Sequence, residues 1–202
     1  MQNEPDPYAQ ENYQVRLDWG LAGLSRLAAA EIVVVVDTLG LTSAVLAAQE
    51  PYRPAGGAAA AVAEAAAAAG ARVVFGGIRN ASAVADDVLE VQRARGARTA
   101  VAIIPVGQAP DAETPRFAVE DLLSAGAVIA ALGDLGIDHA SPDAAVAGEG
   151  YRALGGAVRH LLTASGTGRA LAAAGRRDEV LAAAERDAAS LVPVLRDGVI
   201  VV

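Results

Sequence analysis

Glu31-Ile-Val-Val-Val-Val-Asp37 sets five β-branched residues in a row and ends them on a carboxylate. A strand with one wet face alternates apolar and polar residues, whereas a strand covered on both faces is apolar throughout. The stretch therefore reads as a buried strand of a parallel sheet. Working outward, Arg72-Val-Val-Phe75 and Thr99 to Pro105 are two further strands, the latter buried like the first. Helical segments separate them. Leu41 to Glu50 is one, which Thr42 or Ser43 would open. Ala58 to Ala69 is nearly pure Ala, the strongest helix former. Asn80 or Ser82 would cap a third that runs to Arg95.

The flanks complete the pattern. Tyr13 to Trp19 alternates at the period of a half-buried strand. Gln108 to Thr114 is a polar loop. Pro115 to Leu132 is an amphipathic helix, Pro142 to Thr163 a helix weakened by glycines, and Leu171 to Arg186 one or two short Ala-rich helices. Leu191 to Val202 is two β runs joined by Asp197-Gly198, a hairpin signal. Strands alternating with helices mean an α/β fold. The expected architecture is a three-layer α/β/α sandwich around a mixed, mostly parallel sheet. No internal repeat or interior linker divides it, so residues 13–202 read as a single domain behind a disordered lead, residues 1–12.

Composition narrows the function. The chain of 202 residues has no Cys, and its 16 basic residues are set against 24 acidic ones for a net charge of −8. An acidic surface repels phosphate backbones, so nucleic acid is not an expected partner. The absence of Cys excludes disulfides, thiolate zinc sites and thiol nucleophiles. Aromatics are only 3%, so Val, Leu and Ile must build the core, with Ala allowing close helix packing. Such Ala-rich helix faces are compatible with a homo-oligomer. The longest uncharged apolar stretches, Leu122 to Gly133 and Thr99 to Pro110, span 12 residues, short of the roughly 20 a membrane helix needs. The acidic N-terminus lacks the basic, apolar pattern of a signal peptide. The expectation is a cytoplasmic protein with no membrane partner.

Ligands of open α/β sheets bind beyond the carboxyl ends of the strands. Asp37 stands there, where burial would shift its pKa and a metal or substrate would neutralise it; the alternative is a helix or loop cap. Thr42 and Ser43 follow at a helix start and would hold an anion with the free amides, or serve as an ordinary N-cap. Arg79 and Asn80 follow two glycines after the second strand. Arg79 would bind a phosphate or sulfonate bidentately, or sit in a surface turn. Glu120 and Asp121 are adjacent on a helix and point in different directions, so one at most is expected to face a site. His139 and His160 stand apart without metal-ligand spacing and read as structural. The chain has no GxxxxGK[ST] loop, no GxGxxG after a strand and no HExxH.

Four stretches, taken together, resemble the 2-phosphosulfolactate phosphatases. VVVVDTLGLTSAV (33–45) is similar to the family's strand and D-x-L-R-A-[ST]-[ST] motif. FGGIRNASAVAD (75–86) is similar to its G-x-x-x-N-x-x-A-V-A segment. PVGQ (105–108) with FAVEDLLSAGAVI (117–129) resembles its acidic helix. ASGTGRAL (164–171) with SLVPVLRDGVIVV (190–202) resembles its C-terminal end. The resemblance implies Mg²⁺-dependent hydrolysis of a small anionic phosphate ester, 2-phosphosulfolactate, to sulfolactate and phosphate. It implies Asp37 as metal ligand or acid–base group and Asp121 as a second catalytic carboxylate. Thr42, Ser43, Arg79 and Asn80 would bind substrate. Gly40 stands where the family motif has Arg, and PYRPAGG (51–57) leads directly into the Ala helix where the family has a longer central region. These departures raise an alternative, a non-catalytic relative that binds an anionic metabolite or a protein.

Overall fold

The computed structural model describes residues 6–108 and 116–202. Six strands, β1 (Val15–Leu17), β2 (Ile32–Val36), β3 (Arg72–Phe75), β4 (Val101–Pro105), β5 (Val194–Arg196) and β6 (Val199–Val201), form one sheet. Their order is β1-β4-β2-β3-β5-β6. The first four in that order are parallel, with Val33 beside Val73 on one side and Ala102 on the other. β5 and β6 continue the sheet antiparallel as the hairpin expected at Asp197-Gly198. The sheet is thus mixed and mostly parallel.

β2 shows why the valine run forms a central strand. Ile32, Val34 and Val36 point into one hydrophobic core, and Val33 and Val35 into a second on the opposite face. All five are buried, each contributing roughly 1.5–3 kcal/mol of transfer free energy. One face is covered by α1 (Gly20–Arg26) and α3 (Ala58–Ala68), with Val45 of α2 (Leu41–Ala48) packed beside them. The other face carries α4 (Ala81–Arg95), α5 (Val119–Asp134), α6 (Pro142–Leu154) and α7 (Val158–Ala164). The last helices, α8 (Gly166–Ala173) and α9 (Arg177–Ala183), pack on each other and on α7. In α3 the buried side is Ala59, Ala60, Val62, Ala63 and Ala66, small enough to bring the helix backbone close to the sheet.

Several local expectations change. β1 is buried along its whole length, because a parallel bridge from Val15 to Ala140 covers its outer edge. Residues 20–26, unassigned from sequence, form α1. The helix expected over 142–163 is broken by a 3-10 turn at Gly155–Ala157. α5 begins at Val119, later than expected, after Gln108 and Arg116 pair across the base of their loop. Of the lead expected to be disordered, residues 1–5 lie outside the described residues, but Pro7–Ala9 form a 3-10 turn. Arg16, buried in β1, holds the following segment by donating to the carbonyls of Glu11, Tyr13, Ala28 and Ala29. Most of the polar loop expected at 108–114 also lies outside the described residues. No helix among the described residues is long and apolar enough to cross a membrane.

Candidate functional site

The chain moves across the sheet in one direction from β1 to β2 to β3, with α1 and α3 on one face. It then returns to β4 through α4 on the other face. Right-handed crossovers require that change of face when the direction reverses. The reversal opens a crevice at the carboxyl ends of β2 and β4, where α/β sheets bind ligands. Asp37 leaves β2 at that point. Its Oδ2 accepts from the Leu41 N–H (2.7 Å), and its carbonyl accepts from the Thr42 N–H (3.1 Å). Thr42 Oγ1 in turn accepts from the Asp37 N–H (3.1 Å). The carboxylate thus caps α2, and Thr42 braces the Asp37 backbone. The cap position itself is Gly40, not Thr42 or Ser43 as expected.

Gly40 has a steric cause. A Cβ there would lie 2.6 Å from Asp37 Cγ and closer still to both carboxylate oxygens. The space that any side chain at position 40 would enter is filled by the Asp37 carboxylate. The Arg of the resembling motif is therefore incompatible with Asp37 in this rotamer.

Behind Asp37, α5 delivers two buried acids, where at most one was expected to face inward. Glu120 and Asp121 are each 3% exposed. Asp121 Oδ1 accepts from the Thr38 N–H (2.8 Å), and Oδ2 accepts from the Gly107 N–H (3.0 Å). Asp121 therefore clamps the loop after β2 to the loop after β4, with both oxygens committed to backbone. Burial pushes its carboxyl up to about 7; the Asp37 charge adds to the rise, and the Thr38 hydrogen bond opposes it. Burial also raises Asp37, against the Leu41 N–H, with the Glu120 charge adding to the rise. Thr38 Oγ1 donates to the Glu120 carbonyl (3.0 Å) and lies 2.8 Å from Ser124 Oγ. The Glu120 carboxylate accepts from Thr167, which accepts from Gln108.

A cleft of about 490 Å³ opens in front of Asp37. Ser43 and Arg79 share its wall with Asp37, and α9 with the residue before it adds Arg176 and Glu179. The Ser43 hydroxyl donates to the Thr38 carbonyl, so it presents lone pairs to the cleft, not a proton. Arg79 Nε is buried without a hydrogen-bond partner among the described residues, and Nη2 lies 3.8 Å from Glu185. Thr42, Asn80 and Asp121 are off the wall. Asn80 is fully buried. Its Oδ1 accepts from the Gly77 N–H (3.0 Å), and its Nδ2 donates to the carbonyls of Phe75 (3.1 Å) and Leu191 (3.0 Å). Asn80 thus ties the turn after β3 to the C-terminal segment instead of reaching a ligand. His139 and His160 are also off the cleft; His139 stacks on Tyr13 with ring centroids 5.5 Å apart.

The donor set limits the metal chemistry. Among the described residues no three His, Cys, Asp or Glu side chains are grouped to hold a metal ion. Asp121 accepts backbone N–H groups on both oxygens, and one oxygen of Glu120 accepts from Thr167. Asp37 keeps Oδ1 without a hydrogen-bond partner among the described residues, and Ser43 lines the same cleft. Mg²⁺ commonly takes one or two carboxylates and fills its octahedron with water and substrate phosphate. The residues fit that kind of site and not an all-protein cage.

Three of these parts carry no signal in the sequence. Thr38 gains a role only through its contacts to α5. Arg176 and Glu179 sit in an Ala-rich stretch with no telling spacing, and they reach the cleft only because α9 packs on α7 and α8.

Comparison with curated protein sequences found no match. A family model described as 2-phosphosulpholactate phosphatase matches residues 57–198. That span contains Arg79, Asn80, Asp121 and Arg176, while Asp37, Thr42 and Ser43 precede it. With more than two thirds of its length matched, the chain belongs to the 2-phosphosulpholactate phosphatase family.

Proposed function

We propose that this protein is a Mg²⁺-dependent phosphatase that hydrolyses 2-phosphosulfolactate, or a related small phosphorylated hydroxy acid, to the free hydroxy acid and phosphate. The observation that carries the reading is the cleft at the chain-reversal crevice, where a free carboxylate oxygen of Asp37 shares a wall with the Arg79 guanidinium. A chain of net charge −8 binds a polyanion only where local cations outweigh its field. Asp37 Oδ1 and Ser43 Oγ would hold the metal, which supplies charge neutralisation for the phosphoryl oxygens. The Arg79 guanidinium on the cleft wall would orient the phosphate. Asp121 acts at one remove, by fixing the backbone on which Asp37 stands.

The test is phosphate release from 2-phosphosulfolactate by the purified chain, with Mg²⁺ and with chelator. Release that needs the metal and is lost in Asp37→Asn supports the reading. No release from wild-type protein over a panel of phosphomonoesters overturns it. One observation favours the alternative of a non-catalytic anion-binding relative. With Asp121 committed to two N–H groups, the cleft has no second acid of the original pair to activate water. Thermal stabilisation by the substrate without turnover would select that alternative.

A further inference from the structure

The cleft has two cationic groups among its described lining residues, Arg79 and Arg176, and two anionic ones, Asp37 and Glu179. The cations stand in unlike settings. Arg79 is largely enclosed, with 19% of its side chain exposed, and its Nε has no partner among the described residues. Arg176 is more than half exposed and comes from a different part of the chain. Its Nε and Nη2 each lie 2.7 Å from one oxygen of Glu179, a planar two-point pairing. That pair keeps Arg176 oriented and neutralised at the cleft mouth. An ion pair this exposed adds little to folding stability, so its position on the wall calls for another explanation.

We propose that Arg176 is a specificity-determining residue of the cleft: it binds a second anionic group of the substrate, a carboxylate or sulfonate, and Glu179 is its resting partner. The proposal rests on the phosphatase reading for the identity of the first group, the phosphate near Arg79. Guanidinium N–H groups match the paired oxygens of carboxylates and sulfonates as they match Glu179. A ligand with two separated anions displaces Glu179 and gains both arginines. A phosphate ester of a neutral alcohol leaves the Arg176–Glu179 pair intact, gains one arginine, and meets the Glu179 charge. The cleft thereby selects doubly anionic esters over simple ones, through exchange of one carboxylate partner for another and without a new charge on the protein.

The experiment compares wild type with Arg176→Gln and Glu179→Gln. Both positions are solvent-exposed, so melting temperatures should match wild type. Two esters with phosphate on the central carbon are the probes: 2-phosphosulfolactate, and glycerol 2-phosphate, which has hydroxyls in place of the other anions. Arg176→Gln should raise KM for 2-phosphosulfolactate roughly tenfold or more, the loss of a charge-assisted pair, and raise that for glycerol 2-phosphate much less, through the uncompensated Glu179 charge alone. Glu179→Gln should lower the first KM. Equal effects on both esters, or none on either, overturn the proposal. Calorimetric binding of 3-sulfolactate, which carries both second anions and no phosphate, separates this result from the fate of the phosphatase reading. It should bind wild type and bind Arg176→Gln roughly tenfold more weakly whether or not either ester is hydrolysed. Unchanged binding in the variant, or no binding to wild type, overturns the role of Arg176 independently.

Discussion

Asp121→Asn should change how stability responds to pH. In the folded chain Asp121 titrates at about 7, against 3.8 for the free side chain. Below about pH 4 both folded and unfolded chains hold the proton, and the group contributes no pH dependence. Between the two values the folded state keeps the proton and the unfolded state releases it. Stability therefore falls as pH rises, and the fall ends above about pH 7. Three units amount to roughly 4 kcal/mol. The amide that replaces the carboxyl cannot ionise, but its NH2 meets one of the two N–H groups that Asp121 accepts, so the variant should start below wild type near pH 4 by about 1–3 kcal/mol. Wild type loses up to roughly 4 kcal/mol between pH 4 and pH 8 that the variant keeps, so the difference should shift toward the variant by that amount. The assay is urea denaturation at several pH values in metal-free buffer. With a slope of roughly 2 kcal/mol per molar urea, the difference between the two midpoints should shift by about 2 M from pH 4 to pH 8. The Asp37 and Glu120 charges both add to the rise of Asp121, so removal of either charge should lower it. Parallel stability curves for the two chains between pH 4 and 8 would falsify the buried, proton-holding role of Asp121.

Other substitutions probe the remaining parts. Gly40→Ala should displace the Asp37 carboxylate, which fills the space of that Cβ, lower phosphate release by roughly a hundredfold and cost about 1 kcal/mol of stability through loss of the α2 cap. Asn80→Ala strands the Gly77 N–H and the Phe75 and Leu191 carbonyls. It should destabilise by roughly 2–4 kcal/mol, measured by chemical denaturation, while KM stays unchanged; a large KM effect in a stable variant would restore Asn80 to the substrate. Gly126→Ala drives a Cβ into the Ala147 carbonyl and to 2.8 Å from Tyr151 Cβ, where α5 crosses α6. It should cost about 1–3 kcal/mol, and a melting temperature equal to wild type would contradict that close approach.

The one-dimensional pattern of the chain determined the α/β class, the buried central strand and the C-terminal hairpin, because side-chain periodicity and turn chemistry act over a few residues. It also pointed to Asp37, since a carboxylate that ends an apolar strand is placed by the sheet itself. It could not say where the other chemistry-bearing side chains would meet. Asn80 reads as a ligand group in the sequence and is spent on three backbone partners, one of them Leu191, 111 residues away. Asp121 reads as a second catalytic acid, yet both its oxygens face N–H groups from loops that only strand order brings together. Arg176 carries no sequence signal, and packing of the last helices brings it to the cleft. Hydrophobic periodicity fixes which way each element faces the core. Which polar groups find partners, and which remain free for a ligand, is decided only when distant segments pack and the unsatisfied donors and acceptors are counted.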